Sequence, residues 1–115
     1  MAQQETDPTI DYPKLSNFIG AYFHQDWYED QKLRNEPADV DLVVGHIIDK
    51  NSREYLVEVS RELALVITRY DDVGLTRLIV KKFYGNVRPE LRNQTMRSWL
   101  SSVKDRIDEH LRFSL

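Results

Sequence analysis

His24 and Asp26 are the residues of this 115-residue sequence whose types best suit acid–base chemistry. An imidazole titrates near a pH of about 6.5, and a nearby carboxylate can fix its tautomer. Two positions apart, the side chains point to different sides of a helix, although they could still meet where the helix ends. A useful dyad also needs a nucleophile or a metal in a cleft. The sequence therefore favours a structural role for both residues, with an acid–base dyad as the alternative.

Metal and nucleotide binding have less support in the sequence. The three histidines, His24, His46 and His110, lie on three different predicted helices and outside any tight ligand motif such as His-Glu-x-x-His. The absence of cysteine excludes disulfides, thiolate metal sites and cysteine nucleophiles together. The chain has only four glycines, and they form no glycine-rich turn of the kind that holds phosphate. We therefore predict no metal and no cofactor.

Acidic side chains gather behind the first predicted helix and at the start of the next one. Residues 1–30 hold six acids and one base, whereas residues 61–115 hold seven acids and eleven bases, within a net charge of −3. Acids in such places can simply be solvated, or they can interact with a helix N-terminus. They would equally raise the rate and specificity of binding to a basic partner. The acidic group consists of Asp26, Glu29, Asp30, Glu36, Asp39 and Asp41.

Basic residues cluster around the last predicted helix, which raises the alternative of nucleic-acid binding. Acids interleave with them at Glu90, Asp105, Asp108 and Glu109, and these carboxylates would repel phosphate. No helix-turn-helix, zinc or RNA-recognition pattern accompanies the cluster. A solvated helix face is therefore the better interpretation, and we predict no nucleic-acid partner. The cluster consists of Arg88, Arg92, Arg97, Lys104, Arg106 and Arg112.

The first helix must position His24, and the apolar spacing predicts this helix over residues 13–24. Pro13 suits its first turn, because the fixed φ of proline is helical and its missing donor would be unpaired there anyway. Gly20 inside the helix costs about 1 kcal/mol against Ala, which is tolerable if another backbone packs closely there. The apolar face of the helix comprises Leu15, Phe18, Ile19, Tyr22 and Phe23.

The domain organisation follows from the polarity of the first residues. Residues 1–11 offer only Ile10 to a core, so we predict a flexible tail there and one domain over residues 12–115. No apolar run approaches the roughly 20 residues that a membrane span needs, and the chain starts without a secretory signal. We therefore expect a cytoplasmic protein without a membrane partner. The apolar stripes suffice for one shared core, which favours a monomer.

Two helices are predicted in the middle of the chain. Pro37 can begin a helix that ends near Asp49, since its apolar residues recur at three- and four-residue steps. Ser52 is a good N-cap for the next helix, because its hydroxyl can accept from an otherwise unpaired backbone donor. The apolar face of this second helix comprises Leu56, Val59, Leu63, Val66, Ile67 and Tyr70.

The last part of the chain predicts a short helix and a long one. Asp71–Asp72 can cap a short helix that Gly85 ends, with a buried strand over residues 78–80 as the competing interpretation. Residues 85–93 form a turn-rich loop. A long apolar stripe over residues 96–111 predicts the final helix. The sequence therefore predicts an all-α fold, a compact single-domain bundle of about five helices.

Two motifs resemble a known family. The run Tyr-Phe-His-Gln-Asp-Trp at residues 22–27, preceded by residues 15–20, resembles the opening motif of immunity proteins from contact-dependent growth-inhibition loci, the CdiI family. Residues 83–85, followed after a loop by residues 95–100, resemble the closing turn and helix of that family. Three aromatics, a histidine and an acid make the first motif the more specific one. We interpret the following motif residues as fold-defining: Tyr22, Phe23, His24, Asp26, Trp27 and Trp99.

The resemblance implies an all-α protein that binds the toxic C-terminal domain of its own system's surface-delivered effector and so protects the producing cell. It implies no enzymatic activity, and it implies a heterodimer with a toxin that is often a nuclease. We favour a ribonuclease whose active site is blocked, because a basic RNA-binding cleft would complement an acidic inhibitor. A helical adaptor or an antitoxin-like transcriptional regulator is the alternative. The candidate toxin contacts are Tyr28, Glu29, Asp30, Glu36, Asp39 and Asp41.

Overall fold

The computed structural model of the chain describes residues 7–23, 40–85, 87, 89 and 93–113. Six α-helices account for most of these residues, and no strand occurs among them. None of the helices in these ranges combines the length and the apolarity needed to cross a membrane. The predicted all-α fold is therefore confirmed, with one short helix more than the sequence predicted.

The additional helix, α1, spans Pro8–Asp11 and lies within the predicted tail. The carboxylate of Asp7 accepts a hydrogen bond from the backbone N–H of Thr9 at 2.9 Å, which satisfies a donor of the first turn. This local cap stabilises a helical turn that has no buried side chain of its own. Residues 1–6 lie outside the described residues, so the division of the chain into a tail and a domain stays a prediction.

Helix α2 spans Pro13–Tyr22 and ends two residues earlier than predicted. Its core side is buried as the spacing predicts, at Leu15, Phe18 and Ile19. Gly20 lies on the exposed side, where an added Cβ would be 3.7 Å from the backbone oxygen of Phe83. That distance is an ordinary van der Waals contact, so the predicted close approach of another backbone leaves room for a methyl group.

Helices α3 and α4 span Val40–Lys50 and Arg53–Arg69. Ser52 is the N-cap of α4, since its hydroxyl accepts from the backbone N–H of Tyr55 at 3.2 Å. The predicted cap is therefore confirmed. The residues of α4 that are fully buried at the predicted helical spacing are Leu56, Val59, Leu63 and Val66.

Helix α5 spans Asp72–Arg77 and continues as a π-helical turn over Leu78–Lys82. Asp71 caps it, accepting from the backbone N–H of Gly74 at 2.7 Å. The competing strand over residues 78–80 is wrong, because the inward apolar residues keep a helical spacing across the junction. The widened turn is visible in the bond that Phe83 N donates to the carbonyl of Leu78, five residues earlier.

Gly85 follows this segment, but it does not end it by adopting a left-handed conformation. Tyr84 takes that conformation instead, with a φ of 59°. Gly85 is buried, and a Cβ added to it would lie 2.6 Å from Cγ2 of Ile19. The glycine is needed for close packing of this segment against α2, and the helical segment ends just before it, as predicted.

Helix α6 spans Met96–Phe113 and packs along α4 at the centre of the molecule. Thr95 caps its first turn, accepting from the backbone N–H of Ser98 at 3.0 Å. Side chains of α2 to α6 and of the π-helical turn share one hydrophobic core around this pair. The largest fully buried side chains are Leu15, Phe18, Ile19, Phe23, Ile47, Leu56, Leu63, Leu75, Ile79, Phe83, Leu100 and Ile107.

Candidate functional site

Glu62 of α4 fixes the start of α2, the helix that carries the opening motif. Its side chain is 1% exposed, and Oε1 accepts from the backbone N–H groups of Lys14 and Leu15 at 3.0 and 3.1 Å. These are donors of the first turn, which have no intrahelical partner, and Tyr12 at the N-cap position offers no side-chain bond. A carboxylate there also interacts favourably with the helix dipole. A distant helix therefore supplies the cap of α2.

Arg97 and Asp72 join three helix ends. The guanidinium of Arg97 donates to the carbonyl oxygens of Ile67 and Tyr70 at the C-terminus of α4, the latter at 2.6 Å. Asp72 of α5 accepts from the backbone N–H of Arg97 at 2.9 Å, in the first turn of α6. One predicted member of the basic cluster is thus used inside the bundle.

Asp108 links α6 to α4. Its carboxylate accepts hydrogen bonds from the hydroxyl of Ser60 and, at 2.5 Å, from the ammonium of Lys104. Burial works to raise the pKa of Asp108, but the hydrogen bonds from Lys104 and Ser60 outweigh it and hold that pKa below its ordinary value. Lys104, a second member of the basic cluster, is therefore paired with an acid of its own helix.

The opening motif contributes to the core where the structure describes it. Phe23 is fully buried, and its ring meets that of Trp99 edge-on with centroids 5.2 Å apart. The hydroxyl of Tyr22 accepts from the side-chain amide of Asn51 at 3.0 Å, which ties α2 to the end of α3. The ring of Phe18 lies beside those of both Tyr22 and Phe23. The two matched motifs thus meet in one aromatic cluster.

Several predicted residues lie outside the described part of the chain. Of the motif these are His24, Asp26 and Trp27, so both the predicted structural role and the alternative of an acid–base dyad stay untested. The backbone at Asp41 is in the first turn of α3, and its side chain is not among those described. Asp41 is one of the six candidate toxin contacts, and the role of all six stays a prediction. The other five lie outside the described part of the chain: Tyr28, Glu29, Asp30, Glu36 and Asp39.

A groove between α3 and α6 is the candidate binding site. It encloses about 490 Å³, and α3 is the helix that follows directly on the acidic stretch of the sequence. Phe113, 79% exposed at the end of α6, lies at the groove opposite the nearly buried Ile48. The remaining lining residues are Gly45, Asp49, Arg106, Glu109 and His110.

The α3–α6 groove places an apolar ring beside charged groups of both signs. It combines the exposed ring of Phe113 with the guanidinium of Arg106 and with carboxylates at Asp49 and Glu109. Aromatic residues and arginine are enriched at protein interfaces. Among the described residues, no group of three His, Cys, Asp or Glu side chains is placed to hold a metal ion. His110 lies in the groove without such a group around it.

Phe113 was not among the candidate contacts predicted from the sequence, although its position in the last helix indicates that it is exposed. The buried face of α6 recurs at Met96, Trp99, Val103 and Ile107, and Phe113 falls outside that stripe. An aromatic residue off the core stripe of an amphipathic helix is exposed by geometry and available to a partner.

Two of three comparisons relate the chain to known proteins. Residues 11–107 match the model of a family described as CdiI immunity protein. The fold is similar to that of a chain in the crystal structure of a CdiA-CT/CdiI complex from Y. kristensenii 33638, with a TM-score of 0.74 and 16% sequence identity over 90% of this chain and 99% of that one. The comparison with curated proteins gave no significant match.

Proposed function

Because this chain belongs to the CdiI immunity protein family, we propose that it binds and neutralises the toxic C-terminal domain of its cognate growth-inhibition effector. The family match over residues 11–107 is the observation that carries this proposal. The fold similarity to a chain of a CdiA-CT/CdiI complex supports it. The chain acts in this proposal as an inhibitor without enzymatic activity, in the cytoplasm of the producing cell.

The proposed mechanism is occlusion of the toxin's active site by a monomer that forms a heterodimer with it. Phe113 and the carboxylates of the α3–α6 groove would form part of the contact, together with the acidic residues that precede α3 in the sequence. Protection requires nearly complete silencing, which corresponds to a Kd of about 1 nM or lower, or about −12 kcal/mol. An interface of roughly 1,600 Å² with a few dominant anchors is typical for such affinities.

A nuclease is the class of toxin that this surface fits best, and a ribonuclease is our specific proposal. An enzyme that binds a phosphate backbone presents a basic cleft. The acidic stretch of residues 26–41, with six acids, would complement such a cleft and speed association at low ionic strength.

The test of this function is protection. We expect the effector to be encoded directly upstream, and its C-terminal domain is expressed alone or together with this chain. We expect growth arrest in the first case and normal growth in the second, with nanomolar binding of the purified proteins by calorimetry. Arrest in both cases would refute the proposed function.

The ribonuclease proposal has its own readout. Total RNA from cells expressing the toxin domain alone should be degraded, and the added immunity protein should keep it intact. Intact RNA during growth arrest would assign the toxin to another class and leave the immunity function standing.

A regulator that binds its own operator has weaker support. Arg97 and Lys104, two of the six cationic residues that suggested it, make contacts within the bundle. We therefore expect no shift of operator DNA at moderate salt in a mobility assay. A His24→Asn variant that folds and still protects would likewise remove the acid–base alternative.

A further inference from the structure

Helix α5 carries more apolar surface than its own core needs. Its inward face is complete at Leu75, Leu78 and Ile79, which are at most 3% exposed. A second set of residues, Val73, Thr76 and Val80, recurs at three- and four-residue steps on another side of the same segment. Val73 is 69% exposed, so water covers a side chain that the fold leaves unused.

This outward side is concave and not flat. It lines a depression of about 350 Å³ in which valine and threonine methyl groups form the apolar part. The π-helical turn contributes to its shape, because a wider turn shifts Val80 and Lys81 from the register that a regular α-helix would give them. The α5 groove, as we call this depression, is lined by Asp72, Val73, Thr76, Arg77, Val80 and Lys81.

Two cations and one carboxylate line the α5 groove, so its net charge is positive. The carboxylate of Asp72 is already committed, since it accepts from the backbone N–H of Arg97 in the first turn of α6. Arg77 and Lys81 are exposed, and neither forms an ion pair with any residue that the structure describes. Two cations therefore flank an apolar floor, in contrast to the carboxylates of the α3–α6 groove.

We propose that the α5 groove is a second contact surface for the toxin domain and receives a segment that carries an apolar side chain between carboxylates. This inference rests on the proposed function. It adds an acidic segment of the toxin to the basic cleft that the proposed function already invokes. The apolar side chain would contact Val73 and Val80, and the carboxylates would pair with Arg77 and Lys81.

Two other occupants fit less well. A symmetric contact between two copies of this chain would bring Arg77 and Lys81 against themselves, and like charges repel. An anionic membrane presents a planar surface, which does not fill a depression. An acidic protein segment satisfies both the shape and the charge.

The experiment uses the full chain and the purified toxin domain. Binding is measured by calorimetry or surface plasmon resonance for the wild type, the double variant Arg77→Glu/Lys81→Glu, and Val73→Asp. Arg61→Glu serves as a control for charge reversal away from the groove, because Arg61 is an exposed base on α4 that pairs only locally with Glu58. Circular dichroism and Tm confirm that each variant is folded.

We expect the double variant and Val73→Asp each to raise the Kd at least tenfold, and Arg61→Glu to change it less than twofold. The affinity of the double variant should also depend less steeply on salt. Wild-type affinity in folded groove variants would overturn this inference while the proposed function stands. Vesicles of phosphatidylserine serve as a second probe. If the wild type binds them, the double variant does not, and both bind the toxin equally well, the inference is overturned in favour of a membrane. A wild-type chain that fails to bind the toxin would overturn both proposals.

Discussion

The α4–α6 pair and the segment from α5 to Gly85 differ in how regular their backbone is and in what their side chains contact. Within the pair, polar groups are turned inward and paired: Glu62 caps α2, and Asp108 joins Ser60. The α5 segment instead departs twice from regular backbone, in the π-helical turn and at Tyr84. It also leaves Val73 uncovered. The comparison teaches that one region fixes the fold, while the other carries irregularity that recognition can use.

The largest loss of stability is expected when the cap that Glu62 of α4 provides for α2 is removed. Glu62→Ala leaves the N–H groups of Lys14 and Leu15 without their partner, which should cost about 2–4 kcal/mol of unfolding free energy. Glu58→Ala on the same helix removes only an exposed ion pair with Arg61 and should cost less than about 1 kcal/mol. Urea unfolding measures both. Equal losses in the two variants would contradict the role assigned to Glu62.

Gly85→Ala tests how closely the α5 segment packs against α2. The new methyl group would lie 2.6 Å from Ile19 and 3.1 Å from Ile79, so one of these packed side chains must move. Overpacking of this kind costs about 1–3 kcal/mol, and thermal or urea unfolding would report it. An alanine variant as stable as the wild type would show that α2 and this segment are not closely packed.

The stability that Asp108 gives to the α4–α6 pair should depend on pH. Its folded pKa lies below its unfolded value, so its stabilising contribution is full above the unfolded pKa near 4 and is lost as the pH falls through the folded pKa. Asp108→Asn should therefore lower Tm at neutral pH and lose part of the wild type's decline in Tm between about pH 4 and pH 2. Parallel Tm curves for the two proteins would rule out this linkage.

Gly20→Ala should stabilise the protein, by up to about 1 kcal/mol. Alanine has the better helix propensity, and its Cβ would meet only the oxygen of Phe83 at an ordinary distance of 3.7 Å. Gly20 thus serves as the counterpart of Gly85, with the same substitution and the opposite sign. Destabilisation at Gly20, measured by the urea midpoint, would mean that α2 approaches the α5 segment more closely than described.

The smallest effect is expected at Tyr84. Glycine relieves a left-handed conformation that costs an ordinary residue about 1–2 kcal/mol, but it adds about 0.5–1 kcal/mol of chain entropy. Tyr84→Gly should therefore stabilise by less than about 1 kcal/mol. Asn93→Gly is the matched control, since Asn93 has a φ of 58° and asparagine tolerates that region better. A larger gain at Asn93 than at Tyr84 would contradict the assignment of strain to Tyr84.

Features encoded by neighbouring residues could be predicted from the sequence. Ser52 and Asp71 cap helices that begin one residue later, so a local pattern was enough to place them. The apolar run at residues 78–80 was ambiguous, because a buried strand and a buried helix share that composition. Tertiary packing decided it in favour of a helical turn.

Features that join distant residues could not be predicted in this way. Glu62 looked like one more polar residue of an amphipathic helix, and its partners lie 48 and 47 positions away in the chain. Arg97 looked like part of a cationic patch, and its side chain reaches carbonyls of another helix. The acidic residues from Asp26 to Asp39 lie outside the described residues and stay a prediction.

The cap that Glu62 provides has a consequence for synthesis on the ribosome. Helix α2 is made well before Glu62, so in the nascent chain its first donors bond to water until α4 has emerged. The opening motif therefore gains this anchorage only after α4 has been made. A cell that must counter a toxin promptly depends on finished chains, because a truncated product ending before residue 62 lacks the group that sets α2 in place.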